Sequence, residues 1–160
     1  IPHVLIDATA GKTAYAEVNK AIDSCVPMGA TNIGGAVHSA VEDLKSHSRL
    51  GSTRAIVLFT DGEPTVPSGP LSSDPKANAR MAAVEARDAG VALYTIGLAQ
   101  NPTIIPDQTD ILNDKNSDPT TGGMAAIAGH GGTFNLVTDS SELRQTFAKI
   151  ARRLVKLVSN

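Results

Sequence analysis

The chain has 160 residues and a formal net charge of −2. That length suits one domain with a substantial core, and the near-neutral charge argues against a nucleic-acid binder, which carries a basic surplus on one face. No apolar run is long enough for a membrane span, and nothing at the start reads as a secretory signal. Apolar residues make up 41% and aromatics 3% of the chain, so the core has to be built from Ala, Val, Ile and Leu. Cys25 is alone, so no internal disulfide can form, and a lone Cys does not separate cytosol from exterior.

In chain order, His3–Ile6 is a short apolar run ending at Asp7 and reads as a strand. Thr13–Cys25 reads as a helix, with Ala14, Val18 and Ile22 on one face. Met28–Asn32 is a loop. Ile33, Val37, Val41 and Leu44 recur at helical spacing, which predicts a helix over about Gly35–His47. Arg54–Thr60 is continuously apolar through its middle and reads as a fully buried parallel strand. Pro64–Asp74, with Pro67, Gly69 and Pro70, is loop. Pro75–Ala89 is a helix with Pro in its first turn and Gly90 just past its end. Val91–Ile96 is another strand. Asn101–Gly123, polar and interrupted by Pro102, Pro106 and Pro119, reads as one long loop. A short helix, Met124–Ala128, leads through Gly131-Gly132 to the strand Thr133–Val137. Ser140–Val158 is the last helix. Asp139 and Glu142 form a capping pair at its start, and Leu143, Phe147, Ile150, Leu154 and Leu157 are its expected buried stripe.

Strands alternate with helices throughout. This predicts an α/β fold with a doubly wound, mostly parallel sheet flanked by helices, residues 1–160 forming a single domain. Ligands of such sheets sit outside the carboxyl ends of the strands. The loops Asp7–Lys12, Asp61–Asp74 and Gly97–Gly123 lie at that end, and the Met28–Asn32 loop enters a helix that can face the same side.

Thr31 and Asp61 stand out there. Asp61 directly follows the apolar strand, in Phe59-Thr60-Asp61-Gly62, and Gly62 lets the chain turn away sharply. Thr31 precedes a helix in Gly29-Ala30-Thr31-Asn32-Ile33. A hydroxyl and a carboxylate suit a hard cation such as Mg²⁺, which takes oxygen ligands. The plainer alternatives are a helix cap at Thr31-Asn32 and a simple turn at Asp61-Gly62.

Together with their context these segments resemble a known family. Gly29-Ala-Thr-Asn-Ile-Gly-Gly-Ala36 and Ala55-Ile-Val-Leu-Phe-Thr-Asp-Gly62 are similar to the second and third motifs of the von Willebrand factor A domain. Ala89-Gly-Val-Ala-Leu-Tyr-Thr-Ile-Gly97 is similar to the family's next strand. Ile127–Phe134 and Asp139–Leu143 resemble its closing helix, strand and final helix, and Phe147–Leu157 is similar to bacterial surface and pilus-associated members. The resemblance implies a metal-ion-dependent adhesion site in which Thr31 and Asp61 are ligands. It also implies an Mg²⁺ ion (Mn²⁺ or Ca²⁺ as substitutes), no catalysis, and a partner protein that presents an Asp or Glu carboxylate. An extracellular or cell-surface location goes with it.

The family's first motif, Asp-x-Ser-x-Ser, does not occur in this sequence. Asp7-Ala8-Thr9-Ala10-Gly11 follows a strand and matches at Asp7 and Thr9, but Gly11 replaces the final Ser. Val4–Ala21 looks like the family's third strand and following helix. In the family's strand order, 3-2-1-4-5-6, this leaves a gap beside Arg54–Thr60. The expectation is a domain lacking its N-terminal strands, completed by upstream residues, by a second chain, or by a rearranged His3–Ile6.

Other readings are weaker. A metal-free structural or assembly module would keep the fold without the site. Ala10-Gly11-Lys12-Thr13 lies between strand and helix as a phosphate-binding loop would, but Ile6 stands where the P-loop pattern needs its first Gly. Asp114-x-Asn116-x-Asp118 has the spacing that opens a Ca²⁺ loop, yet Pro119 and Ala125 replace the Gly and Glu such a loop requires. A solvated acidic loop explains it, with partner selection beside the metal face as its role if it has one. His3, His38, His47 and His130 show no zinc-ligand spacing. Cys25, at the end of an apolar helix face, is expected to be packed. The basic last helix, from Arg144 to Lys156, is expected to be a solvated face that complements the helix dipole.

Overall fold

The computed structural model describes residues 11–26, 29–66, 71–99 and 105–158, the side chains of 11–15, 17, 107–108 and 155–158 excepted. The strand expected at His3–Ile6 therefore lies outside the described residues, as do Asp7 and Thr9.

The spine is β2 (Val91–Leu98), whose residues from Val91 to Gly97 are all buried. It pairs in parallel with β1 (Arg54–Thr60) on one side and β3 (Phe134–Val137) on the other, giving the order β1-β2-β3. Side chains alternate across the sheet. Val91 and Leu93 point into one core, joined by Ile56 and Leu58 of β1. That core is closed by α2 (Ile33–His47), α3 (Pro75–Asp88), α4 (Ile105–Leu112) and α5 (Met124–Ala128). Ala92, Tyr94 and Ile96 point to the opposite face, where Leu143, Ile150 and Leu154 of α6 (Ser140–Val158) cover them. With few aromatics available, α3 supplies Ala79, Ala82, Ala83 and Ala86 to the first core, all fully buried. Their small size lets α2 come close enough that Gly34 lies against Asn78.

The helix ends follow their sequence signals. Asp74 caps α3 by accepting from the Ala77 N–H, Pro75 occupies the first turn, and Gly90 takes φ +67° beyond the end. Asp139 accepts from the N–H groups of Ser141 and Glu142 at the start of α6. The Glu142 carboxylate reaches back one residue further than a capping box would, to the Thr138 N–H and hydroxyl.

Four sequence expectations need correction. The stretch Asn101–Gly123 is not all loop, because Ile105–Leu112 is helical, with Ile111 and Leu112 buried. Arg54–Thr60 is a strand as expected but not fully buried. Val57 and Phe59 are 38% and 44% exposed, since β1 is the edge of the described sheet and, of its residues on that face, only Ala55 packs into the cluster with α6. Phe147 does not belong to the buried stripe of α6; it is 43% exposed at the margin of the face that carries Leu143 and Ile150. Cys25 follows α1 (Gly11–Asp23) and is exposed rather than packed, its thiol donating to the Ala21 carbonyl at 3.4 Å.

Candidate metal centre

Asp61 stands where the chain leaves the carboxyl end of β1, on the rim that ligands use in parallel sheets. The Thr60 hydroxyl ties off the turn. It accepts from the Gly62 N–H at 3.2 Å and lies 3.0 Å from the Gly62 carbonyl. Asp61 is exposed, and its carboxylate has no hydrogen-bond or salt-bridge partner among the described residues.

Thr31 is brought to this turn by the fold. Its N–H donates to Thr65 Oγ1 at 2.9 Å, and its carbonyl accepts from the N–H groups of Thr65 at 2.9 Å and Val66 at 3.4 Å. The loop after β1 and the loop before α2 are thus clipped together across 34 residues of sequence. Gly62 completes the contact, because a Cβ there would lie 3.2 Å from the Thr31 hydroxyl oxygen. Any side chain at Gly62 would crowd that oxygen, so the glycine keeps the space beside it open.

The helix-cap reading of Thr31-Asn32 is resolved between the two residues. Asn32 is the N-cap of α2, its Oδ1 accepting from the Gly35 N–H at 2.9 Å. The Thr31 side chain, half-buried, is left for another role. Hydroxyl and carboxylate oxygens are hard donors, so Thr31 and Asp61 fit a small divalent cation such as Mg²⁺. Among the described residues no three His, Cys, Asp or Glu side chains gather into a metal cage.

Thr65 escaped the sequence reading. It sits in the proline-containing segment Glu63-Pro64-Thr65-Val66 with no motif around it, and its role depends on a partner 34 residues away. No local pattern could have announced it.

The other candidates are occupied structurally. Asp118 accepts from the N–H groups of Thr120 and Thr121 and from the Thr120 hydroxyl, which together hold its carboxyl down to about 2. Asn116 Oδ1 accepts from the Asp118 N–H. Asp114 accepts from the Phe134 N–H, at the amino-terminal end of β3 and away from the rim that carries Asp61. This acidic segment is therefore knitted to itself and to the sheet. His38 lies 2.7 Å from Glu85, His47 2.9 Å from Asp43, and His130 bonds the Arg87 carbonyl. The three are far apart in role and share no ligand geometry. Lys12 and Thr13 open α1, and their side chains fall outside the described residues.

Neither a curated protein nor a solved structure matches the chain. A model of the von Willebrand factor type A domain matches residues 2–151. Domains of this type mediate protein–protein interactions, often with a divalent metal, and are typically interaction modules rather than enzymes. With that match spanning nearly the whole sequence, and a parallel sheet flanked by helices as its fold, the chain belongs to the von Willebrand factor type A domain family.

Proposed function

We propose that this domain is a divalent-metal-dependent protein-binding module whose grip is centred on Thr31 and Asp61. The observation that carries the reading is the clip between their loops. The Thr31 main chain is bonded from both sides by Thr65, and Gly62, the residue after Asp61, leaves room at the Thr31 hydroxyl; the Asp61 carboxylate has no partner among the described residues.

Thr31 Oγ1 and the Asp61 carboxylate would hold Mg²⁺, or Mn²⁺ or Ca²⁺ in its place, directly or through water. When bound, the cation supplies an open coordination position that an Asp or Glu carboxylate of a partner protein can fill. Asp61 contributes the negative charge that attracts the ion. Its position is set by the strand end, which costs the site little ordering entropy. Thr65 and Gly62 keep the Thr31 hydroxyl in place and accessible. Asp7 and Thr9 are the chain's own candidates for further oxygen ligands. The segments 64–74 and 101–123 would choose among partners.

The test is calorimetric titration of the full chain with Mg²⁺ and Mn²⁺. Wild type is expected to bind, and Thr31→Ala and Asp61→Ala each to weaken binding by roughly ten-fold or more, the loss expected for one charged or polar ligand. Equal binding by all three proteins, or none by any of them, would sink the proposal in favour of a metal-free assembly module.

A further inference from the structure

The outer edge of β3 offers a second surface, remote from Asp61 in the sheet order. In the parallel ladder the Thr95 N–H donates to the Thr133 carbonyl and the Ala99 N–H to the Val137 carbonyl. Residues 133, 135 and 137 therefore turn their main-chain groups toward β2. Phe134 and Leu136, and Thr138 just past the strand, turn theirs outward. Two of these outward N–H groups are already taken. Phe134 donates to Asp114 at 3.1 Å and Thr138 donates to Glu142 at 2.7 Å. By the same alternation, the Phe134 carbonyl and both main-chain groups of Leu136 face out between the two carboxylates.

A groove of about 580 Å³ runs beside this edge, between β3 and α6. Its walls include Asn135, Gln145, Thr146, Lys149 and Arg152. Lys149 and Arg152 lie one helical turn apart, both exposed, and neither has an acid partner among the described residues. Glu142 also lines the groove, but its carboxylate is committed to the Thr138 N–H and hydroxyl. The uncommitted charge in the groove is positive. Leu136 also borders the groove, while by strand alternation its side chain, 39% exposed, points to the face opposite Asn135 and Val137.

We propose that the β3 edge and this groove form a second protein-binding site, independent of metal, for a short extended segment of a partner in which acidic and apolar residues alternate. A strand added at Leu136 would place alternate side chains on opposite faces. Acidic ones meet Lys149 and Arg152, and apolar ones meet Leu136. Asp114 and Glu142 close the edge at both ends, so the pairing stays short and the edge does not recruit long strands of other copies.

The probes are fluorescein-labelled peptides of alternating Val and Glu, Val and Lys, or Val and Ser, followed by anisotropy with the full chain in EDTA. The Val/Glu peptide is expected to bind, the Val/Lys peptide not to, and binding to weaken as salt rises from about 0.05 M to about 0.5 M. Charge reversal by Lys149→Glu with Arg152→Glu, at exposed positions that should leave the melting curve unchanged, is expected to weaken the Val/Glu peptide by roughly ten-fold or more. Leu136→Ala removes the apolar contact and is expected to weaken binding; Leu136→Pro also removes the outward N–H, without touching the ladder to β2, and is expected to weaken it further. Asp61→Ala should leave this binding unchanged, which separates it from the metal site. Equal binding of Val/Glu and Val/Ser peptides, indifference to charge reversal, or no binding of the Val/Glu peptide would overturn the proposal.

Discussion

Thr31 and Thr65 hold each other by reciprocal hydrogen bonds: the Thr31 N–H donates to the Thr65 hydroxyl at 2.9 Å, and the Thr65 N–H donates to the Thr31 carbonyl at 2.9 Å. Only the first of these uses a side chain, so mutation can remove it selectively. Thr65→Val keeps the shape and removes the acceptor, leaving the Thr31 N–H without its partner. The expected cost is about 0.5–1.5 kcal/mol, the net value of one hydrogen bond, read from urea denaturation. Divalent-metal affinity should fall alongside it, because the Thr31 loop is freed to move. Thr65→Ser restores the acceptor and should restore both readouts. A Val variant with unchanged metal affinity would show that the clip plays no part in positioning Thr31.

The closeness of α2 and α3 rests on Gly34. A Cβ at that position would lie 2.1 Å from Asn78 Nδ2 and 2.8 Å from the Asn78 main-chain carbonyl carbon. The amide can swing aside, but the main chain cannot without moving α3. Gly34→Ala is therefore expected to destabilise by about 1–3 kcal/mol, the range for overpacking a tight interior. Asn78 Oδ1 also accepts from the Leu71 N–H at 3.4 Å, so the displacement should reach the loop that follows Asp61. Adding Asn78→Ala should rescue part of the loss, as only the side-chain half of the clash is removed. Full rescue would mean that α3 accommodates the methyl group freely. Chemical denaturation of the single and double variants measures this directly.

Elements with clear punctuation could be read from the sequence, and those stabilised by distant partners could not. Pro75 and Gly90 bracket α3, and the apolar run from Ala55 to Phe59 marks β1. Helix α4 was hidden because Pro106, Asp107 and Asp110 look like loop residues, while its fully buried residues, Ile111 and Leu112, come at its very end. Pro106 in fact sits in the first turn, where a missing N–H costs nothing. What holds the helix is tertiary: Ile111 and Leu112 are buried, and the buried Thr95 hydroxyl donates to the Leu112 carbonyl at 2.6 Å. The same division runs through the candidate site. Thr31 and Asp61 lie in motifs, whereas Thr65 acts across a separation that only the fold closes. Cys25 and Phe147 were misplaced for a related reason: periodicity shows which face is apolar but not how far the opposing layer extends.

The segment around Asp118 should respond to acid. Hydrogen bonds from the Thr120 hydroxyl first, then from the Thr120 and Thr121 N–H groups, hold the Asp118 carboxyl at about 2, below its ordinary 3.8. A depressed folded-state value means that the ionised form is favoured by the fold. Its contribution is fully present above the ordinary value and is lost as pH falls through about 2. The amide resonances of Thr120 and Thr121 are therefore expected to titrate near that lower value in the wild type, and to lose this transition in Asp118→Asn. Titration at the ordinary carboxylate value would show that these bonds are not formed in solution.

Arg80 is expected to matter more through a carbonyl than through its acid partner. Its side chain is 11% exposed; Nε donates to the Gly122 carbonyl at 2.8 Å and Nη2 to Asp110 Oδ2 at 2.9 Å. Asp110 is 48% exposed, so water can replace Arg80 there, and the pair resembles an exposed salt bridge worth at most about 1 kcal/mol. Gly122 is buried. Without the guanidinium its carbonyl loses a partner in a place water reaches poorly, at a cost of about 1–3 kcal/mol. The predicted order of destabilisation is Arg80→Met, then Arg80→Lys, then Asp110→Asn, because an ammonium cannot span both acceptors as the planar fork does. Amide exchange adds a local readout. The Gly122 and Gly123 N–H groups donate to the Asp118 and Asn116 carbonyls at 2.7 and 3.0 Å, and both should exchange faster in Arg80→Met than in Asp110→Asn. If Asp110→Asn matched Arg80→Met in both measurements, the ion pair rather than the buried carbonyl would be what fastens α3 to the segment before α5.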